Sequence, residues 1–188
     1  MEAPLPTPPV PRPLSRGARV LITAAIALGS LVVVLIAGYL AVAYNYQALR
    51  VRGQSMEPTL YPGNIFLAEK LHGDAAGLAR GDIVAFVADG AQLTVTRIIA
   101  VPGDRLRVSR AKVLVNGREL RESYLPEAWT SSDSWNGGNE QVVPQQSYFV
   151  LGDNRNHSID SRSFGYVRAS QIRMKGNMRL LPRFGDRL

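Results

Sequence analysis

The stretch GQSMEPTL, residues 53–60, holds one serine in the kind of setting a nucleophile requires. Gly53 permits backbone conformations closed to other residues and lets a ligand approach closely. Pro58 restricts the chain just downstream, and Met56 offers adaptable apolar contact. Rigid presentation of this kind, with backbone N–H groups of the turn facing a developing oxyanion, suits Ser55 to hydroxyl attack on a carbonyl. On spacing alone a structural turn is the stronger reading. A second stretch, LGDNRNHSIDSRSFG (151–165), concentrates Asp153, Asn154, Arg155, Ser158, Asp160, Ser161 and Arg162. Alone it reads as a salt-bridged loop. Together with GQSMEPTL and RGDIVAF (80–86) it reads as part of one site.

Composition narrows the chemistry. The chain has no cysteine, which excludes disulfides, thiolate catalysis and cysteine metal sites. Its only histidines are His72 and His157, so neither a zinc site nor any other cofactor is expected. Lysines are confined to Lys70, Lys112 and Lys175, and the remaining cations are arginines, which cannot act as bases. The net charge of +7 is spread along the chain and reads as a solvated basic surface with a weak attraction to anionic lipid headgroups. No nucleic-acid motif is present, so that partner is set aside.

The elements that must carry these residues fall into three parts. Residues 1–19 are proline-rich between Pro4 and Pro13 and lack apolar periodicity, which predicts an extended tail on the cytosolic side. Between Arg19 and Arg50 there is no charge, and residues 20–44 are long and apolar enough for one transmembrane helix. Tyr39, Tyr44 and Tyr46 suit the membrane interface. A cleaved signal peptide is the rival, with AVA at 41–43 resembling a cleavage site, but its apolar core runs only about 7–15 residues. The arginines flanking the span slightly favour a cytosolic N-terminus.

From residue 50 to 188 the pattern becomes short Val-, Ile-, Leu- and Phe-rich runs: NIFLAEKL, DIVAFVA, LTVTRIIAV, RLRVS, KVLVNGREL and SYFVLGD. Asn-Gly at 116–117 signals a hairpin, and Gly and Pro punctuate YPGN, RGD and VPGD. The expectation is a mainly β domain of several small sheets. Trp129 and Trp135 lie in a polar stretch (124–146), where they either pin a long loop to its own domain or anchor at the membrane interface. About eleven residues link Tyr44 to Ser55, a reach of less than about 40 Å, which keeps the serine near the bilayer.

With GQSMEPTL, RGDIVAF, TRIIAVPGD and GDNRNHSIDSR following one another behind an apolar anchor, the chain resembles the type I signal peptidases over about residues 20–182. That resemblance implies a membrane-anchored serine endopeptidase on the outer face of the cytoplasmic membrane. It would remove signal peptides from exported preproteins, with shallow pockets for small side chains at the first and third positions before the cut. It implies Ser55 as nucleophile, Gly53 in the oxyanion site and Met56 as the methionine after the nucleophile. It further implies that Ser158 orients the base and that Asp160 and Arg162 form a bracing pair. Arg97, Asp153, Asn154, Arg155 and Ser161 shape the site as members of the same blocks.

One position departs from the family. Its base is a lysine in a block of the form Lys-Arg-x-x-x-x-Pro-Gly-Asp, and here Thr96 precedes Arg97. A threonine hydroxyl accepts no proton in the working pH range. His157 is a rival base by type, with an ordinary pKa of about 6.5, but it neighbours Ser158 and should face the other way in an extended segment. The readings carried forward are a signal peptidase I with an altered base position, a catalytically silent structural or adaptor subunit of a membrane protein complex, and a relative of the self-cleaving repressors.

Overall fold

The computed structural model describes residues 15–73, 77–88, 92–125, 129 and 134–179. Most of the proline-rich tail and the last nine residues of the chain lie outside the described residues. The chain divides after Ala43 into two compact units.

The first unit is built on α1 (Arg16–Asn45), which starts when Ser15 Oγ accepts from the N–H of Ala18 at 3.2 Å. None of its residues is buried. Its polar hydroxyls turn inward: Thr23 donates to the Arg19 carbonyl and Ser30 to the Ala27 carbonyl, each at 2.9 Å. Leu21, Ile26, Val33, Val34 and Leu35 are all more than half exposed. So continuous an apolar surface is stable in a bilayer and not in water. The helix is long and apolar enough to cross one.

The second unit is mainly β, in two antiparallel sheets. Its strands are β1 (Tyr46–Arg50), β2 (Ile65–Lys70), β3 (Ile83–Val87), β4 (Leu93–Ala100), β5 (Arg105–Ser109), β6 (Lys112–Val115), β7 (Arg118–Glu119), β8 (Gln141–Val142), β9 (Ser147–Leu151), β10 (Val167–Arg168) and β11 (Ile172–Arg179). One helical turn, α2 (Ser161–Phe164), precedes β10. The larger sheet has the order β1-β2-β11-β3-β4-β9-β10, and the smaller β7-β6-β5-β8. Each of the six apolar runs seen in the sequence contains a strand. The sheets number two, because β11 enters between β2 and β3 and joins what would otherwise be separate ribbons.

Strand alternation sets the two faces of the large sheet. One face buries Val84, Phe86, Ile98 and Val150. The other buries Met56, Leu60, Phe66 and Ala85 towards one end. Towards the other end, Ile99, Ala100, Phe149 and Leu151 meet Leu106, Val108, Val113 and Val115 of the small sheet. Both tryptophans pack within the domain. Trp135 lies tilted against Phe149 with centroids 4.7 Å apart and meets Tyr166 edge-on, while Trp129 is buried beneath the guanidinium of Arg162.

Candidate active site

Ser55 sits in a turn between β1 and β2 that is closed by its own main chain. The N–H of Glu57 donates to the Gln54 carbonyl at 3.1 Å, and that of Leu60 to the Met56 carbonyl at 2.8 Å. Met56 is 1% exposed and roots the turn in the core, while Ser55 itself stays half-buried. The second motif grips this turn from outside. Asn154 donates its N–H to the Ser55 carbonyl at 2.9 Å and its side-chain amide to the Gln54 carbonyl at 3.2 Å. Gly53 differs in part from its sequence reading. Its φ is not in the left-handed region, and an added Cβ would meet no protein atom within 4 Å. Of the two reasons given for a glycine there, only room for an approaching ligand remains.

The position of Thr96 follows from register. On β4, Thr96 pairs with Val84 of β3, and Arg97 pairs with Leu151 of β9. Continuing the latter register by one residue brings Gly152 opposite Thr96. Residues opposite one another in an antiparallel pair present their side chains to the same face, about 4.5–5.5 Å apart. A Cβ on Gly152 would collide with Ser158 Oγ and come within 2.5 Å of the Ser55 carbonyl oxygen. The space beside Thr96 is therefore filled by Ser158 and by the main chain of Ser55. Gly152 is the residue whose lack of a side chain allows them in.

The Thr96 hydroxyl has no hydrogen-bond partner among the described residues, and the residue is 3% exposed. A buried hydroxyl left unsatisfied costs about 1–3 kcal/mol. Thr96→Val, which keeps the shape and removes the hydroxyl, is expected to stabilise the domain by about 1 kcal/mol, or roughly 2–4 °C in Tm. Thermal denaturation followed by circular dichroism checks this. A fall in Tm would show that the hydroxyl has a partner.

The other basic side chains lie elsewhere. The rows Lys70–Met174, Met174–Ala85 and Ala85–Val95 put Lys70 on the face of Val95, opposite to that of Thr96. It is also three strand spacings from β4, about 14 Å. Lys112 pairs with Glu119 at 3.0 Å and Lys175 with Asp82 at 2.8 Å. His157 is exposed, whereas Ser158 is half-buried.

The remaining motif residues form two buried ionic braces. Asp153, 0% exposed, accepts from Arg97 Nε at 2.8 Å and Nη2 at 2.6 Å, and also from the Thr59 hydroxyl. Arg97 donates further to the Gly81 carbonyl at 2.9 Å and lies 4.0 Å over the Tyr124 ring. Burial opposes its charge, but the hydrogen bonds and charge of Asp153 outweigh that and raise its pKa above the ordinary value. Asp160 caps α2, accepts from the Gly152 N–H at 3.1 Å and binds Arg162 through two bonds of 2.8 Å. Ser161 Oγ accepts from the Val150 N–H at 3.0 Å. In this way GDNRNHSIDSR folds back onto its own strand and fixes Gly152 beside Ser55.

Several partners of these residues carried no signal in the sequence, Glu122, Tyr124 and Thr59 among them. Arg155, 5% exposed, is neutralised by Glu122 and bonds the Gly152 carbonyl at 3.1 Å. Tyr124 donates to the same Glu122, and burial, then that hydrogen bond, raises its pKa. Asp104 accepts from Arg80 and Asn116 and so joins the RGD and PGD blocks. A buried arginine demands a carboxylate, which would have directed attention to Glu122 had the burial of Arg155 been known. Among the described residues no group of three or more His, Asp or Glu side chains gathers to hold a metal.

The chain is similar to known proteins. The family model for signal peptidase, peptidase S26, matches residues 23–181. Signal peptidase I of Bacillus caldolyticus is 40% identical over 141 residues, spanning 70% of this chain and 78% of that protein. Signal peptidase IB of Staphylococcus aureus strain Mu50 is 33% identical over 145 residues, spanning 70% and 76%. A solved signal peptidase I of Enterococcus faecalis is 31% identical, covering 55% of this chain and 97% of its own, with a TM-score of 0.44.

Proposed function

This chain belongs to the signal peptidase family, peptidase S26, and on that premise we propose that it is a membrane-anchored serine endopeptidase acting on the signal peptides of exported preproteins. The observation that carries the reading is the close approach of Ser158 Oγ and the Ser55 main-chain carbonyl to Gly152, which the β4–β9 register continued by one residue sets opposite Thr96. Ser55 Oγ attacks the scissile carbonyl, and its proton must leave as the bond forms. The carbonyl oxygen becomes an oxyanion held by N–H groups of the turn around Gly53. The leaving amine takes up a proton as the peptide bond breaks, and water then hydrolyses the acyl-serine.

In this chain no side-chain base stands at position 96, so the Ser55 proton passes to water, a poor acceptor. Turnover is therefore slow and rests on binding and oxyanion stabilisation. Ser158, close to Thr96 across Gly152, is placed to orient an amine there. Substrates carry small residues at the first and third positions before the cut. The test is incubation of the full chain in liposomes with a preprotein having alanine at both positions. Slow release of the mature protein, lost in Ser55→Ala, supports the reading; release that persists in Ser55→Ala removes it.

The anchor is α1, with the N-terminus cytosolic and the β domain on the outer face. The chain has no cysteine, so single cysteines report topology cleanly. In intact spheroplasts, an impermeant maleimide is expected to label Ser163→Cys and not Ser15→Cys. The opposite pattern would reverse the orientation.

A further inference from the structure

The outer face of the small sheet carries a cavity of about 590 Å3, apart from the Ser55 turn. Along β5, Leu106 and Val108 point into the core, so Arg107 and Ser109 face outward. In the β5–β6 register Leu114 lies opposite Arg107, and Lys112 opposite Ser109, on that same outer face. The hairpin between these strands turns through Arg110 and Ala111, both with left-handed φ (49° and 62°), and Arg110 lines the cavity. Ser134, whose hydroxyl donates to Ser109 Oγ at 3.2 Å, supplies another wall.

Three cations and two hydroxyls therefore surround one space. Lys112 is partly offset by Glu119 in an exposed pair, worth little in water. Among the described residues no carboxylate pairs with Arg107 or Arg110. The other exposed arginine of this sheet face, Arg105, is held by Glu140 at 2.5 Å. Like charges gathered without counter-charge repel, and an oxyanion that accepts from guanidinium and hydroxyl donors together relieves that repulsion. The volume is ample for a phosphoryl group, free or carried on a larger molecule.

We propose that this cavity binds a phosphoryl group, through Arg107, Arg110 and Lys112, with Ser109 and Ser134 as hydroxyl donors. Phosphoryl oxygens are tetrahedrally disposed and accept from several directions, as this ring of donors requires. Two sources share that chemistry: free phosphate, and the headgroup of an anionic phospholipid, to which a chain with an apolar helix like α1 has access.

The test uses the full chain, labelled with nitrogen-15, in phosphatidylcholine nanodiscs. One arm adds inorganic phosphate against chloride at matched ionic strength. The other replaces part of the lipid by phosphatidylglycerol. Saturable shifts of the Arg107 and Arg110 signals are expected. Replacing both by glutamine is expected to weaken binding at least tenfold, while Arg118→Gln changes it less than twofold. A response to phosphate identifies a free-anion site; a response to phosphatidylglycerol alone identifies a headgroup site. No saturable shift with either probe, or unchanged affinity in the double variant, overturns the proposal.

Discussion

Thr96→Lys is expected to raise the rate of signal-peptide cleavage by about 10²–10⁴-fold, the usual contribution of a positioned general base. The position is 3% exposed and shares its face with Val84 and Ile98. A lysine introduced there extends along the face that Ser158 and the Ser55 main chain occupy. Desolvation disfavours its ammonium form and lowers its pKa from about 10.4. Only the neutral amine accepts the Ser55 proton, so activity is expected to rise with pH through that lowered pKa and then level off. Initial rates from pH 6 to about 10 check both the magnitude and the sign. The conservative control, Thr96→Val, should leave the rate unchanged, since neither side chain accepts a proton.

Asp153→Ala is expected to have the largest effect on stability. Removing one partner of a buried ion pair costs about 3–5 kcal/mol, because the other charge is left uncompensated. Here that charge is Arg97, whose side chain is only 11% exposed, and Thr59 loses its acceptor as well. For a domain of this size the loss corresponds to a fall in Tm on the order of 10 °C. Arg97 links Gly81, Thr59 and Asp153, so the Ser55 turn should loosen with it. Thermal melts of the variant and the parent decide the point. A change below about 1 kcal/mol would mean that water reaches Arg97 and replaces the carboxylate.

Legibility in the sequence followed physical range. The helix α1 was visible because a bilayer imposes length and apolarity on contiguous residues. The strands β2–β6 and β9 were visible because their apolar runs end in turn residues such as Gly63, Gly81 and Gly103, all of which have left-handed φ. By contrast, β11 alternates Arg173 and Lys175 with Met174 and then meets Gly176, so it reads as a polar segment. Its insertion between β2 and β3 is a long-range pairing without a local signature. The ionic braces divided in the same way. Asp160 and Arg162 lie two residues apart, and their pairing was expected from the family resemblance. Arg155 and Glu122 lie 33 residues apart, and theirs was not. The significance of Gly152 rested on register, where one residue changes the face of every side chain.

The claim that Ser55 stands in an intact peptidase site lacking only its base is tested most directly by mapping the cut. The Thr96→Lys chain, in liposomes and shown to be folded by its melting transition, is given a preprotein with alanine at the first and third positions before the junction. The new N-terminus is read by mass spectrometry, with and without Ser55→Ala. The expected result is a single cut immediately after the second alanine, absent when Ser55→Ala is added. A folded lysine variant that cuts nothing, or a cut that survives Ser55→Ala, would contradict it.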